Sequence, residues 1–267
     1  MGGMSAPVLL TGGTGTLGRQ VLPLLREAGV EVRVLSRRSR PPGDGTGLVT
    51  GDLSTGAGVD VAVQGVGTIV HCAGSARGDD VKARHLVTAA ARAGAPHLVH
   101  ISVVGSDRIP VAGRADRAMF GYYASKVAAE RAVVDSGLPW TILRATQFHD
   151  LILTVVGGLA RLPVVPVPAG FSFQPVDSGE VAARLAELSL GPPAGLAPDV
   201  AGPRVYSLSE LLRGYLAATG RRRALVPVPM RGAAARAFRD GANLAPERAV
   251  GRRTWEQFLA AHVAPAR

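Results

Sequence analysis

The chain of 267 residues is 47% apolar and 19% charged, enough to bury a large core and too apolar for a disordered chain. One cysteine excludes an internal disulfide framework and a multi-cysteine metal cluster, and no apolar run reaches the about 18 residues of a membrane span. A reducing cytoplasm, no membrane partner and no signal segment are therefore expected. The net charge of +10 comes from 30 Lys plus Arg against 20 Asp plus Glu, and every basic residue except Lys82 and Lys126 is an arginine. Aromatics make up only 4% and the arginines read as scattered, with Arg221, Arg222 and Arg223 the only tight triplet, so the excess is expected to be a solvated surface, and nucleic-acid binding is not expected.

From Pro7 to Leu143 short β-rich runs alternate with alanine- and leucine-rich stretches, the pattern of βαβ units around a parallel sheet. The strands are predicted at Val8 to Thr11, Glu31 to Ser36, Leu48 to Thr50, Thr68 to Cys72, Leu98 to Val103 and Trp140 to Leu143. Helices are predicted at Thr16 to Ala28, Val81 to Ala93 and Tyr122 to Ser136, each stopped by a glycine (Gly29, Gly94, Gly137). Pro41 to Gly47 reads as a surface loop and the proline-spaced Leu162 to Pro168 as extended. After about Thr146 the alternation decays into helical patterns at Val181 to Leu190, Leu208 to Ala218, Met230 to Asp240 and Thr254 to His262. The expected division is a dinucleotide-binding domain over residues 1–146 and a smaller, partly helical substrate region over 147–267, with interleaving allowed.

The first chemical signal follows the first strand at once: Thr11-Gly12-Gly13-Thr14-Gly15-Thr16-Leu17-Gly18, then a helical pattern. Gly12 permits a tight turn out of the strand, Gly15 lets backbone approach a pyrophosphate at the positive helix N-terminus, and Gly18 lets helix pack on sheet. Thr11, Gly12, Thr14, Gly15, Thr16, Leu17 and Gly18 are accordingly assigned to a dinucleotide. The second strand ends in Ser36-Arg37-Arg38, where an NAD site would place an acid against the ribose 2′-hydroxyl. A hydroxyl and two arginines suit a 2′-phosphate instead, so NADP(H) is expected in preference to NAD(H). Asp52 with Leu53 could meet the adenine, and Ala73-Gly74, after His71-Cys72, could let backbone lie along the adenine-ribose side. His71 and Cys72 themselves read as packing residues on a parallel strand.

The second signal is Tyr122-Tyr123-Ala124-Ser125-Lys126, which places Tyr122 and Lys126 four apart on one helix face. A phenol with a reference pKa of about 10 is a poor base at neutral pH, and a neighbouring ammonium together with a cationic nicotinamide would favour its ionised form. Tyr122 could then move a proton to or from a substrate oxygen while Lys126 holds the nicotinamide ribose. Gln147, Phe148 and His149 follow the sixth strand, at the sheet edge where ligands of open α/β folds gather, and are candidates for a small-molecule substrate pocket. No histidine or carboxylate spacing supports a metal.

These residues together resemble the short-chain dehydrogenase/reductase superfamily: Thr11-Gly12-x-x-Gly15-x-x-Gly18, Asp52-Leu53, Ala73-Gly74, Tyr122-x-x-x-Lys126 and Leu143-Arg144. The glycine spacing is similar to the extended and atypical branches, which include NmrA-like proteins and NAD(P)H-binding relatives of nucleoside-diphosphate-sugar epimerases. The resemblance implies a Rossmann-type doubly wound parallel sheet, a bound nicotinamide dinucleotide, and a substrate cleft formed partly by the C-terminal region. It also implies a catalytic hydroxyl at the end of the fifth strand, where this chain reads Ser102-Val103-Val104-Gly105-Ser106. Ser102 is the candidate, with a strand-end structural role as its alternative; if the position falls on Val103 or Val104, Ser106, Gln147 or His149 would have to substitute. The leading expectation is an NADP-dependent oxidoreductase acting on a carbonyl or related unsaturated group. The alternatives are an NmrA-like NADP-binding sensor without turnover and an epimerase, dehydratase or cyclase using the cofactor transiently or structurally.

Overall fold

The computed structural model describes residues 6–38, 47–75 and 78–263. The chain packs as two compact units that alternate along the sequence. The first comprises Met1–Ser102, Gly121–Leu143 and Val181–Ala197, the second Val103–Phe120, Arg144–Glu180 and Pro198–Arg267.

The first unit is built on a sheet whose strands are β1 (Val8–Thr11), β2 (Val32–Ser36), β3 (Gly47–Thr50), β4 (Thr68–His71), β5 (His97–Val103), β6 (Trp140–Ala145) and β9 (Gly195–Leu196), in the order β3-β2-β1-β4-β5-β6-β9. The registers are parallel, as the βαβ alternation demands. Successive connections run outward from β1 on one side and from β4 on the other. The topological switch therefore falls between these two strands, where doubly wound sheets collect their ligands. The connecting helices are α1 (Gly18–Glu27), α2 (Val59–Ala62), α3 (Asp79–Arg92) and α4 (Arg114–Val134), with α6 (Ser178–Leu190) leading to β9. Gly29, Gly94 and Gly137 follow helices at positive φ, as the helix-stop reading requires.

The core explains the register. Leu9, Ile69 and Leu98 are aligned across β1, β4 and β5 and fully buried against Leu86, Ala90 and Val133 of α3 and α4. Because strand side chains alternate with period two, the next residues on this same face are Thr11, His71 and His100, again in register, and then Ser102. The buried row thus changes from apolar to polar at the carboxyl ends of the strands.

Element boundaries differ from the sequence reading in one important place: α4 begins at Arg114, so Tyr122 and Lys126 lie within the helix and not at its start. The expected loop from Pro41 to Gly47 lies outside the described residues except for Gly47, which opens β3. The sequence reading contains no helix at α5 (His149–Leu159), whose valines and paired glycines disfavour that assignment.

In the second unit, β7 (Val164–Pro168) pairs in parallel with β11 (Ala224–Val228), and β8 (Ser172–Phe173) pairs antiparallel with β10 (Tyr206–Ser207). Helices α5, α7 (Leu208–Ala218) and α9 (Trp255–His262) enclose a core of Ile152, Val156, Val165, Val167, Leu211, Leu212, Trp255 and Phe258. The short helix α8 (Ala233–Arg239) completes the set. Helices α7 and α9 each open on a capping box, Ser207 with Glu210 and Thr254 with Gln257. Gln174 ties loops together, its carbonyl accepting from Ala245 N at 2.9 Å and its amide donating to Gly202 O at 2.8 Å.

A side chain at Gly18 has nowhere to go: its Cβ would overlap the Gly12 carbonyl oxygen and meet Gly13 Cα at 2.7 Å. Gly18→Ala is expected to lower stability by about 2 kcal/mol through overpacking against backbone. Urea unfolding measures this, and an unchanged midpoint would show that α1 can shift away from β1 at little cost.

Candidate active site

The glycine loop leaves β1 at the switch point. Gly12 has φ of +70°, and a Cβ there would stand 2.7 Å from Ala73 N, so only glycine permits this approach between the β1 and β4 loops. Gly15 is exposed, its would-be Cβ 3.2 Å from Gly12 O, and Gly15 N donates to that oxygen at 2.9 Å. Leu17, at the N-cap of α1, provides no capping side chain; Arg19 N donates to Gly15 O at 3.1 Å and Gln20 N to Leu17 O at 2.9 Å, so of the first three helical amides Gly18 N is the one left without a partner among the described residues. Together a backbone cradle that tolerates no side chain and an uncapped helix N-terminus fit a dinucleotide pyrophosphate. Thr14 is exposed, Thr16 half-buried and Leu17 buried. Thr11 is fully buried with its hydroxyl 2.7 Å from His71 Nδ1, which commits that side chain to the fold.

Ser36 Oγ accepts from Arg38 N at 3.1 Å, turning the chain so that Arg37 and Arg38 stand exposed at the end of β2. Asp52 is half-buried and one carboxylate oxygen accepts from Ser54 N at 2.8 Å. Leu53, 6% exposed, is part of the apolar core. Ala73 and Gly74 are half-buried, and a Cβ at Gly74 would lie 3.3 Å from Lys126 Nζ and 3.4 Å from Asp79 Oδ2. Gly12 against Ala73 and Gly74 against Lys126 thus join the cradle to the second cluster.

That cluster is centred on Lys126, 4% exposed. Its ammonium lies 3.1 Å from Asp79 Oδ2, donates to Ile101 O at 3.4 Å and stands 5.7 Å from the Tyr122 ring centroid. Asp79, the first residue of α3, is the partner that sequence reasoning missed; its only signal was an acidic residue in a helical first turn. Its Oδ1 accepts from Ser75 N at 2.7 Å, and its own backbone N donates to Ser125 Oγ at 3.1 Å. Burial raises the Asp79 carboxyl, but the charge and hydrogen bond of Lys126, the Ser75 amide and Lys82 outweigh it and hold it below the ordinary carboxylate range.

Lys126 by itself does not favour the Tyr122 phenolate. Burial, and secondarily the negative charge of Asp79, raise the phenol above its ordinary value, so Tyr122 is a neutral phenol with a proton to give. Tyr123 packs edge-on against it at 5.6 Å. Beneath Lys126, His71 and His100 stack at 5.1 Å. Burial, with the Lys126 charge in addition, lowers His71 to about 3; burial, then His71 and Lys126, lower His100 well below its ordinary value, so both imidazoles are neutral. Ser102 is 5% exposed and its hydroxyl makes no hydrogen bond among the described residues. Burial pushes the Cys72 thiol up to about 12.

In the second unit, Gln147 is 7% exposed with its amide 3.5 Å from Asn243 O, and Phe148 is half-buried at the N-cap of α5. His149 is fully buried, stacked on Phe258 at 4.9 Å and 5.9 Å from Trp255, with Nε2 at 3.0 Å from Arg253 O. Its ring is a component of the unit's core, with no surface left to offer a ligand.

Comparison with known proteins agrees with the cradle. A family model described as NAD(P)H-binding matches residues 12–155. The chain is 31% identical over 208 residues to a (4-alkanoyl-5-oxo-2,5-dihydrofuran-3-yl)methyl phosphate reductase of Streptomyces griseus, covering 76% of this chain and 70% of that protein. An NADPH-dependent quinone oxidoreductase of Escherichia coli in complex with NADPH superposes with a TM-score of 0.78 over 95% of this chain and 99% of that one, at 18% identity. A nucleoside-diphosphate-sugar epimerase from Staphylococcus aureus does so with a TM-score of 0.75, covering 95% and 99%, at 17% identity. These two likenesses show a shared Rossmann-type fold.

Asp79→Asn removes the partner of a buried ammonium, a change that costs about 3 kcal/mol or more. Urea unfolding at pH 7 is expected to show that loss. The folded Asp79 carboxyl titrates below its ordinary 3.8, so its stabilisation is complete well above that value and fades as pH falls through the folded one. The difference between wild type and variant is therefore expected to narrow in acid; a difference constant down to pH of about 3 would remove Asp79 ionisation as its source.

Proposed function

From a chain that belongs to the NAD(P)H-binding family, in the atypical, epimerase-like branch of the short-chain dehydrogenase/reductases, we propose an NADP-dependent reductase of a carbonyl or related unsaturated group on a small molecule. The observation that carries this reading is Tyr122 one helical turn from the buried Lys126, whose ammonium stands 5.7 Å from the Tyr122 ring and lies against Gly74 beside the glycine cradle. The name of the Streptomyces relative as a reductase supports the direction.

The backbone at the start of α1 binds the pyrophosphate, and Gly12, Gly15 and Gly18 keep side chains out of its way. Lys126 has three N–H donors; Asp79 and Ile101 O face two of them, which leaves one for a ribose hydroxyl. A bound reduced nicotinamide supplies hydride. The chain's own contribution at the reacting centre is the proton: a phenol held neutral by burial and by Asp79 donates from Tyr122 Oη to the substrate oxygen that gains electron density. Asp79 thereby has two effects, fixing Lys126 in place and keeping Tyr122 in its acid form. Ser102, with no internal hydrogen bond to break, is the second donor proposed for that oxygen.

The preference for NADP(H) rests on Arg37 and Arg38, exposed after a strand end that carries no acid. Two charge-assisted contacts to a 2′-phosphate are worth about 3 kcal/mol together. Arg37→Ala with Arg38→Ala is expected to weaken NADPH binding by about a hundredfold and NADH binding little, measured by calorimetry. Equal weakening of both nucleotides would remove the arginines from 2′-phosphate recognition.

Tyr122→Phe is expected to reduce kcat by about a hundredfold or more while leaving NADPH affinity unchanged. The measurement is NADPH absorbance decay across a panel of ketones, aldehydes and conjugated enones. Full turnover in the variant would exclude Tyr122 as the proton donor. Tight NADPH binding by the wild type with no oxidation by any member of a broad panel would favour a sensor over a reductase.

A further inference from the structure

The parallel ribbon of β7 and β11 in the second unit has one buried face and one exposed face. Val165 and Val167 point into the core, as a period of two requires, while Val164 and Pro166 stand exposed beside Ala224, Val226 and Val228. Every residue on that outer surface is apolar. Val164 is 51% exposed and Val226 45%, and Leu162, just before the ribbon, is 42% exposed. An apolar surface of this kind marks an interaction site.

Arginines stand at one end of the ribbon. Arg213, Arg221, Arg222 and Arg223 border an open hollow of about 640 Å³, and Arg161 with Arg221 borders a neighbouring one of about 450 Å³. Arg223 Nε donates to Ala160 O at 3.1 Å, which holds the 221–223 segment against the end of α5. Arg213 has Glu210 nearby; the other four have no carboxylate partner among the described residues. The two stretches that supply the ribbon, residues 151–176 and 211–239, contain eight arginines and no Asp or Glu at all. Five of the eight, Arg161, Arg213, Arg221, Arg222 and Arg223, border the two hollows.

We propose that this face docks the protein on an anionic lipid surface, with the valines and Leu162 entering the headgroup boundary and the arginines meeting lipid phosphates. An apolar ribbon rimmed by unpaired cations matches both halves of such a surface. A second copy fits less well, because a two-fold contact would set the arginine rim against itself. A nucleic acid fits less well, because the ribbon's outer face carries only valine, proline and alanine and Tyr215 in the smaller hollow is a single aromatic ring, short of a stacking platform. The sequence-based expectation of no membrane partner was argued from the lack of a span, and no described helix is long and apolar enough to be one. Docking on a surface needs no span.

The test is co-sedimentation with phosphatidylcholine vesicles, with and without about 30% phosphatidylglycerol. Binding is expected only to the anionic vesicles, reversed by about 0.5 M salt, and weakened about tenfold or more by Arg221→Glu with Arg222→Glu. Val164→Ser with Val226→Ser, exposed changes that leave the core intact, should weaken it several-fold. Arg26→Glu with Arg131→Glu, the same change in net charge placed on α1 and α4, should leave binding within about twofold, which separates the patch from the overall charge. The proposal is overturned if anionic vesicles bind nothing at low salt, if the control pair weakens binding as much as the patch pair, or if the valine changes have no effect. It is also overturned if generic duplex DNA binds as tightly with the same variant pattern, or if the valine changes dissolve a stable dimer.

Discussion

An ammonium buried to 4% exposure is costly in a folded protein unless a charge of opposite sign is held against it, and the region around Lys126 is arranged by that requirement. Asp79 meets it at 3.1 Å from the first turn of α3, itself fixed by the Ser75 amide and the Ser125 hydroxyl. Because the two charges largely cancel, Lys126 cannot draw the proton off Tyr122, and the carboxylate pushes the phenol further toward its acid form. The same ammonium, with burial, keeps two stacked imidazoles beneath it neutral. Burial is the larger influence on Tyr122, His71 and His100, and a charge of this one ion pair adds to it at each of them.

The position of that pair follows from the sheet. Apolar side chains at Leu9, Ile69 and Leu98 anchor the register of three parallel strands, and the two-residue period then delivers Thr11, His71 and His100 to the same face at the carboxyl ends. Helix α4 crosses this polar row with Tyr122 and Lys126 one turn apart. Packing and chemistry use a single alternation, apolar toward the middle of the strands and polar at the edge where the switch point lies.

What was legible in the sequence was what depends on local spacing. The glycine loop, the parallel alternation and the Tyr-Lys pair can be read from neighbours within a few positions, because turns, strand periods and helix faces are short-range geometry. Asp79 was not legible: it meets Lys126 across 47 positions, and nothing local distinguishes it from Asp80 beside it. Leu53 and His149 read as ligand contacts because of where they stand in the chain, yet the first joins the apolar core and the second lies between aromatic rings from a helix about a hundred positions later. Helix α5 was hidden by its valines and glycines, which tertiary packing on α7 overrides. The triplet Arg221, Arg222 and Arg223 is legible in the sequence, whereas Arg161 joins it only in the fold, where β7 pairs with β11.

The half-buried Cys72 carries a consequence for the chemistry the protein withstands. It is the one cysteine of the sequence, and burial holds it near 12, so almost none of it is thiolate at neutral pH. Peroxide, glutathione disulfide and alkylating electrophiles all react through the thiolate. With its thiol held protonated, Cys72 is a poor nucleophile toward such reagents, and the sequence holds no second cysteine with which it could close a disulfide.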